Sequence, residues 1–105
     1  MGMLSGATQV TSAGTRVQIS NSPRRVLYAR AQGRDGNAGT TYLGGSTVSN
    51  TNGWSLVEPT GTIHGNVFEM WFTNTGPRRT TVPLSDFYVD AATNNDYVEW
   101  LFILE

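Results

Sequence analysis

Residues Thr40 to Leu56, TTYLGGSTVSNTNGWSL, decide how this chain is read. Thr40 to Leu43 has the β-branched and aromatic content of a strand, and Gly44-Gly45 breaks it. A polar arm of Ser, Thr and Asn follows, Asn52-Gly53 is a hairpin turn signal, and the chain re-enters a strand at Trp54. Tyr42, Leu43, Val48, Trp54 and Leu56 are the apolar anchors, while nearly everything between them is a small hydrogen-bonding residue. The stretch holds no strong nucleophile and no metal-ligand set. Gly44-Gly45 also lacks the lysine and the helix that a phosphate loop needs after it. It reads as architecture.

Outward from this stretch the same signals repeat. Gly, Ser, Thr and Asn make up two fifths of the 105 residues, and no window sustains a helical apolar period. Strand-like runs are expected at Ala7 to Val10, Thr15 to Ser20, Arg25 to Ala31, Val67 to Thr73, Arg78 to Val82, Phe87 to Ala91 and Tyr97 to Leu104. In Arg25 to Ala31, simple alternation sets Leu27, Ala29 and Ala31 on one side and Val26, Tyr28 and Arg30 on the other. In Val67 to Thr73, Phe68, Met70 and Phe72 share an apolar face, and Val67, Glu69 and Trp71 share a mixed one. Val98 to Leu104 is apolar on both faces, which fits a central strand or one covered by a neighbouring subunit. The fold class is therefore all-β: one β-sandwich or jelly-roll-like domain over residues 7 to 105, with residues 1 to 6 as a flexible N-terminal arm.

The same composition narrows function. The chain has no cysteine, so no disulfide supports it. Its opening, MGMLSGATQV, lacks the basic and apolar regions of a secretory signal, and no apolar run reaches membrane-spanning length. The net charge of −1 offers no basic field for nucleic acid or an anionic membrane. All seven cations are arginine, a residue suited to interfaces. Two turns, Asn21-Ser22-Pro23 and Asn74-Thr75-Gly76-Pro77, each launch a pair: Arg24-Arg25 and Arg78-Arg79. These pairs either grip acidic patches on a partner or sit as solvated strand ends.

No constellation for catalysis, metal or cofactor is expected. His64 is the single histidine, without a nucleophile or ligand set beside it. Asp35 and Asn37 share the i, i+2 spacing of a calcium loop, but no acidic ligand closes it, so a Gly-rich hairpin loop is expected. Among the three tryptophans, Trp71 and Trp100 lie inside apolar runs and are expected in a core or an interface. Trp54, beside Asn52-Gly53, is placed for an exposed carbohydrate platform.

Two pieces carry a resemblance. One is Thr41-Tyr42-Leu43-Gly44-Gly45-Ser46-Thr47-Val48-Ser49 followed by Asn52-Gly53-Trp54-Ser55-Leu56. The other is Leu84-Ser85-Asp86-Phe87-Tyr88-Val89-Asp90-Ala91 followed by Asn95-Asp96-Tyr97-Val98-Glu99-Trp100-Leu101. In this order they resemble a group of small β-sandwich proteins and modules of tailed-bacteriophage virions. The resemblance runs roughly from Arg25 to Leu104. It departs from that group at Thr60 to Val82, where a further strong strand is inserted.

A domain of this size without a docking helix is similar to capsid cement or decoration proteins of that group. The resemblance implies a non-enzymatic structural role on the capsid surface, with the major capsid protein as partner and self-association as a homotrimer. Arg24, Arg25, Trp54, Arg78, Arg79 and Trp100 are then candidate interface residues. The alternative is a tail or baseplate accessory, or a receptor-binding module that takes carbohydrate.

Overall fold

The computed structural model describes residues 2–57, 66–72 and 81–105. Its last strand carries the first sheet. Asp96–Leu104 alternates Val98, Phe102 and Leu104, all buried, with residues of intermediate exposure such as Glu99, Leu101 and Ile103. Chain order gives β1 (Gly2–Val10), β2 (Val17–Gln18), β3 (Arg25–Gly33), β4 (Thr41–Gly44) and β5 (Trp54–Leu56). There follow β6 (Val67–Trp71), β7 (Val82–Pro83), a 3-10 turn at Leu84–Asp86, β8 (Tyr88–Ala91) and β9 (Asp96–Leu104). One antiparallel sheet runs β1-β9-β3-β6, with β7 also pairing to β3, and the other runs β2-β8-β4-β5. The protein is all-β, two antiparallel sheets packed as a β-sandwich.

The core lies between the sheets. Ala29, Ala31, Val98, Phe102 and Leu104 from the first sheet meet Leu43, Leu56, Val89 and Ala91 from the second. Phe87, just after the 3-10 turn, sets its ring 5.1 Å from that of Phe102. Fully burying a side chain of this size stabilises the fold by about 1.5–3 kcal/mol.

Three sequence expectations need correction. Residues 2 to 6 are not a loose arm: Gly2 to Val10 pairs with β9 in unbroken register, Gly2 opposite Leu104 and Val10 opposite Asp96. Small residues hid this strand, because Gly2, Ser5, Gly6 and Ala7 contribute no β-branched signal. Gly6 lets the Trp100 ring lie across it, since a Cβ there would come 3.0 Å from that ring and force it to shift.

The second correction concerns β3. A bulge between Val26 and Tyr28 breaks the alternation, so that Val26 pairs with Leu104 while Tyr28 pairs with Ile103. Val26 thereby turns into the core and is fully buried, instead of sharing a face with Tyr28 and Arg30.

The third lies in the Thr40–Leu56 stretch. The tight turn is Asn50-Thr51, with Ser49 and Asn52 exchanging backbone hydrogen bonds of 2.8 and 3.2 Å. Gly53 follows at φ 138° and brings the chain back against Leu43 and Val48. Only glycine fits, because a Cβ would lie 2.7 Å from Val48 Cγ2 and 2.9 Å from the Leu43 carbonyl oxygen.

Candidate functional site

The loops are tied down by buried polar side chains. Asn37 in the β3–β4 loop is buried and behaves like an extra strand residue. Its Oδ1 accepts from Tyr97 N–H at 2.9 Å, and its Nδ2 donates to the Tyr97 carbonyl at 2.8 Å. The buried Asp96 carboxylate accepts from Ala38 and Gly39 N–H, both at 2.9 Å. Asp90, also buried, accepts from Gly14 N–H at 3.1 Å and Ala91 N–H at 2.8 Å. The i, i+2 pair of Asp35 and Asn37 is thus resolved into an exposed Asp35 and a structural Asn37 that clamps β9.

With the loops fixed, function falls to the surfaces. The outer face of the first sheet is organised in rows by its register. Trp71, Tyr28, Ile103 and Met3 form one row across β6, β3, β9 and β1. Glu69, Arg30, Leu101 and Ser5 form the next, and Val67, Gln32, Glu99 and Ala7 the third. Trp71 is 69% exposed, yet its ring lies 4.4 Å from that of Tyr28 and is steadied by it. Tyr28 Oη donates to Glu69 Oε2 at 2.8 Å. That hydrogen bond, helped by burial and by the Glu69 charge, holds the phenol proton on and raises its pKa above the ordinary 10.0, with Arg30 acting in the opposite sense. Farther along, Arg34 Nε lies 3.4 Å from Glu99 Oε2, and its guanidinium sits 4.2 Å over the Tyr97 ring. Beside the middle rows a shallow depression of about 330 Å³ is lined by Ser5, Arg30, Gln32, Glu99 and Leu101.

Two further surfaces are apolar. β1 is a nine-residue edge strand without charge or proline, and Met3 on it is 70% exposed. Between the sheets, a groove of about 260 Å³ opens among Leu43, Phe68, Met70, Phe72, Val82 and Phe87. The Phe68, Met70 and Phe72 side of β6 does face the second sheet, but Met70 stays exposed because β5 is only three residues long.

The residues singled out by sequence are scattered. Arg24 Nη2 donates to the Glu105 carbonyl at 2.8 Å. Arg25 donates to the Thr81 hydroxyl at 3.2 Å and to the Thr81 carbonyl at 2.5 Å. Both guanidiniums therefore fasten the sandwich's own strand ends. Arg78, Arg79 and His64 lie outside the described residues. Trp54 is 53% exposed, with Phe68 edge-on at 5.6 Å. Trp100 packs at 5.3 Å against Phe102 and donates to Thr8 Oγ1 at 2.9 Å, so it is a half-buried core margin. Of the two places expected for Trp71, a core or an interface, the core is excluded, for it is 69% exposed on the outer face. The signal was its place two residues from Glu69 and therefore on the same strand face, where a charge marks the wet side.

Among the described residues, no three His, Cys, Asp or Glu side chains gather where a metal could be held. Likewise among those residues, no helix is long and apolar enough to cross a membrane. Compared with protein-family models, curated proteins and solved structures, the chain matches none of them.

Proposed function

We propose that this protein is a non-enzymatic structural component of a bacteriophage virion, a cement or decoration protein that binds the assembled shell and stabilises it. The reading rests on the resemblance of the Thr41–Leu56 and Leu84–Leu101 segments to small β-sandwich proteins of such virions. The observation that supports it is β1, a nine-residue, uncharged, proline-free strand at a sheet edge. Natural edges are commonly blunted by charge, proline or bulges, and an edge left plain is suited to extension by a partner's strand. The partner in this reading is the major capsid protein, and neighbouring copies associate around it as trimers. Backbone pairing and apolar contact at Met3 and Leu4 provide attachment without a deep pocket.

In this reading Arg24 and Arg25 serve the scaffold, the strand-end alternative of the two they were given. Their donors reach Glu105 and Thr81, so they stiffen the scaffold behind the edge. The test uses shells assembled from the major capsid protein of the proposed virion. The native protein should co-sediment with them, and Ala7→Lys, which places a charge on the edge strand, should abolish co-sedimentation without lowering the melting temperature. Particles lacking the protein should assemble but rupture at lower temperature. Particles that remain as heat-stable as wild type yet fail to adsorb to cells would overturn the cement reading in favour of the receptor-binding one.

A further inference from the structure

We infer that the outer face of the β1-β9-β3-β6 sheet is a binding surface for a neutral oligosaccharide, with Trp71 as its stacking platform. The site lies on a face rather than on the β1 edge, so it does not depend on the shell-binding proposal.

The first ground is the state of Trp71. An indole 69% exposed at the end of an edge strand is open to a ligand from solvent. This one is also held in place, its ring 4.4 Å from Tyr28, which is itself anchored through Glu69. A fixed, exposed aromatic plane loses little entropy when a flat apolar ligand face settles on it. The axial C–H faces of a hexose ring are such a ligand.

The second ground is what surrounds the ring. Glu69, Arg30, Gln32 and Glu99 follow Trp71 across the face in successive rows, each row about 7 Å from the last given the rise of a strand. All four carry planar carboxylate, guanidinium or amide groups that can engage two neighbouring hydroxyls at once. The depression of about 330 Å³ lies over the same rows, so the surface suits a short chain of sugars better than a single one.

Charge selects among ligands that stack on tryptophan. Arg30 stands opposite Glu69 in register, and Arg34 pairs with Glu99 at 3.4 Å. The cations are balanced by anions one for one, which leaves no net field for a phosphate backbone. A protein partner is less well served, because the exposed apolar residues of this row, Trp71 and Met3, stand at opposite edges of the sheet with buried Tyr28 and half-buried Ile103 between them, which leaves no continuous apolar patch.

The experiment is a panel of neutral hexasaccharides (maltohexaose, cellohexaose, xylohexaose and mannohexaose) with a hexa-uronate as the charged comparison, titrated against the full chain by calorimetry and by indole fluorescence. At least one neutral member should bind and perturb the indole emission. Trp71→Ala should weaken that binding tenfold or more, and Gln32→Ala, an exposed change that removes a long 3.4 Å contact to Glu99 Oε1, should weaken it severalfold. Trp54→Ala, whose ring lies against Phe68 on the inner side of β6 and away from the outer face, should leave it unchanged. Circular dichroism keeps loss of binding separate from loss of fold. The inference is overturned if no neutral hexasaccharide binds, if binding survives Trp71→Ala, or if the hexa-uronate binds better and with strong salt dependence.

Discussion

Replacing Asn37 by alanine removes the side chain that joins the β3–β4 loop to the first residues of β9. The loss can be worked from its two bonds. The Tyr97 carbonyl keeps a second donor, Arg34 N–H at 3.2 Å, so losing the Asn37 Nδ2 bond costs only an ordinary hydrogen bond, about 1 kcal/mol. Tyr97 N–H has Asn37 Oδ1 as its acceptor at 2.9 Å, and orphaning that donor at a half-buried site adds about 1–2 kcal/mol. The expected total is about 2–3 kcal/mol, which for a domain of this size lowers the melting temperature by about 10–20 °C. Urea unfolding followed by intrinsic fluorescence measures it, with Asp35→Ala as the reference. Asp35 is exposed in the same loop and should change stability by less than about 0.5 kcal/mol. If Asn37→Ala proves as mild as Asp35→Ala, the loop is not held by this clamp and the assignment is wrong.

Other perturbations have equally definite outcomes. Gly6→Val sets a side chain where a Cβ already lies 3.0 Å from the Trp100 ring, so it should cost about 1–3 kcal/mol and shift the indole emission as the bond to Thr8 breaks. Gly53→Ala meets both a positive φ of 138° and a 2.7 Å contact with Val48, and should destabilise by at least about 1–3 kcal/mol in thermal unfolding. Phe102→Ala empties the centre of the core and should cost about 3–5 kcal/mol by urea titration. The raised pKa of Tyr28 favours the neutral phenol in the folded state, so its contribution is complete below pH 10.0 and declines as pH rises through the folded value. Tyr28→Phe should show a flatter alkaline stability profile, and spectrophotometric titration should show one phenolate fewer at the high end.

The sandwich was legible wherever β-branched and aromatic residues alternate. Val98 to Leu104 announced a central strand because both of its faces are apolar, and it lies between β1 and β3. β1 was half hidden, since its strand character comes from the partner it pairs with rather than from its own glycines, serine and alanine. Val26 could not be placed by alternation, because a bulge at Leu27 is a local choice that exchanges faces without a composition signal. The surface site was readable in part. Glu69 marked its side of β6 as wet, but nothing local in the sequence tells that Trp71 would find Tyr28 across the sheet. Asn37 was visible only as half of a weak calcium pattern, since its true partner is 60 residues away.

The position of β9 shapes how the molecule must assemble. It is the last of the nine strands among the described residues, yet it sits inside its sheet, with β1 hydrogen-bonded along one side and β3 along the other. During synthesis β1 and β3 therefore wait with their mutual partner absent, and the sheet closes only when β9 slides between them. Closing so long a loop is entropically expensive before any contact repays it, so folding belongs in the millisecond-to-second range typical of non-local β topologies. The interval matters for β1 above all: a plain, uncharged strand with both edges open is then at its most prone to misassociation, and chaperone demand or inclusion-body formation should track the speed of β9 insertion more closely than final stability.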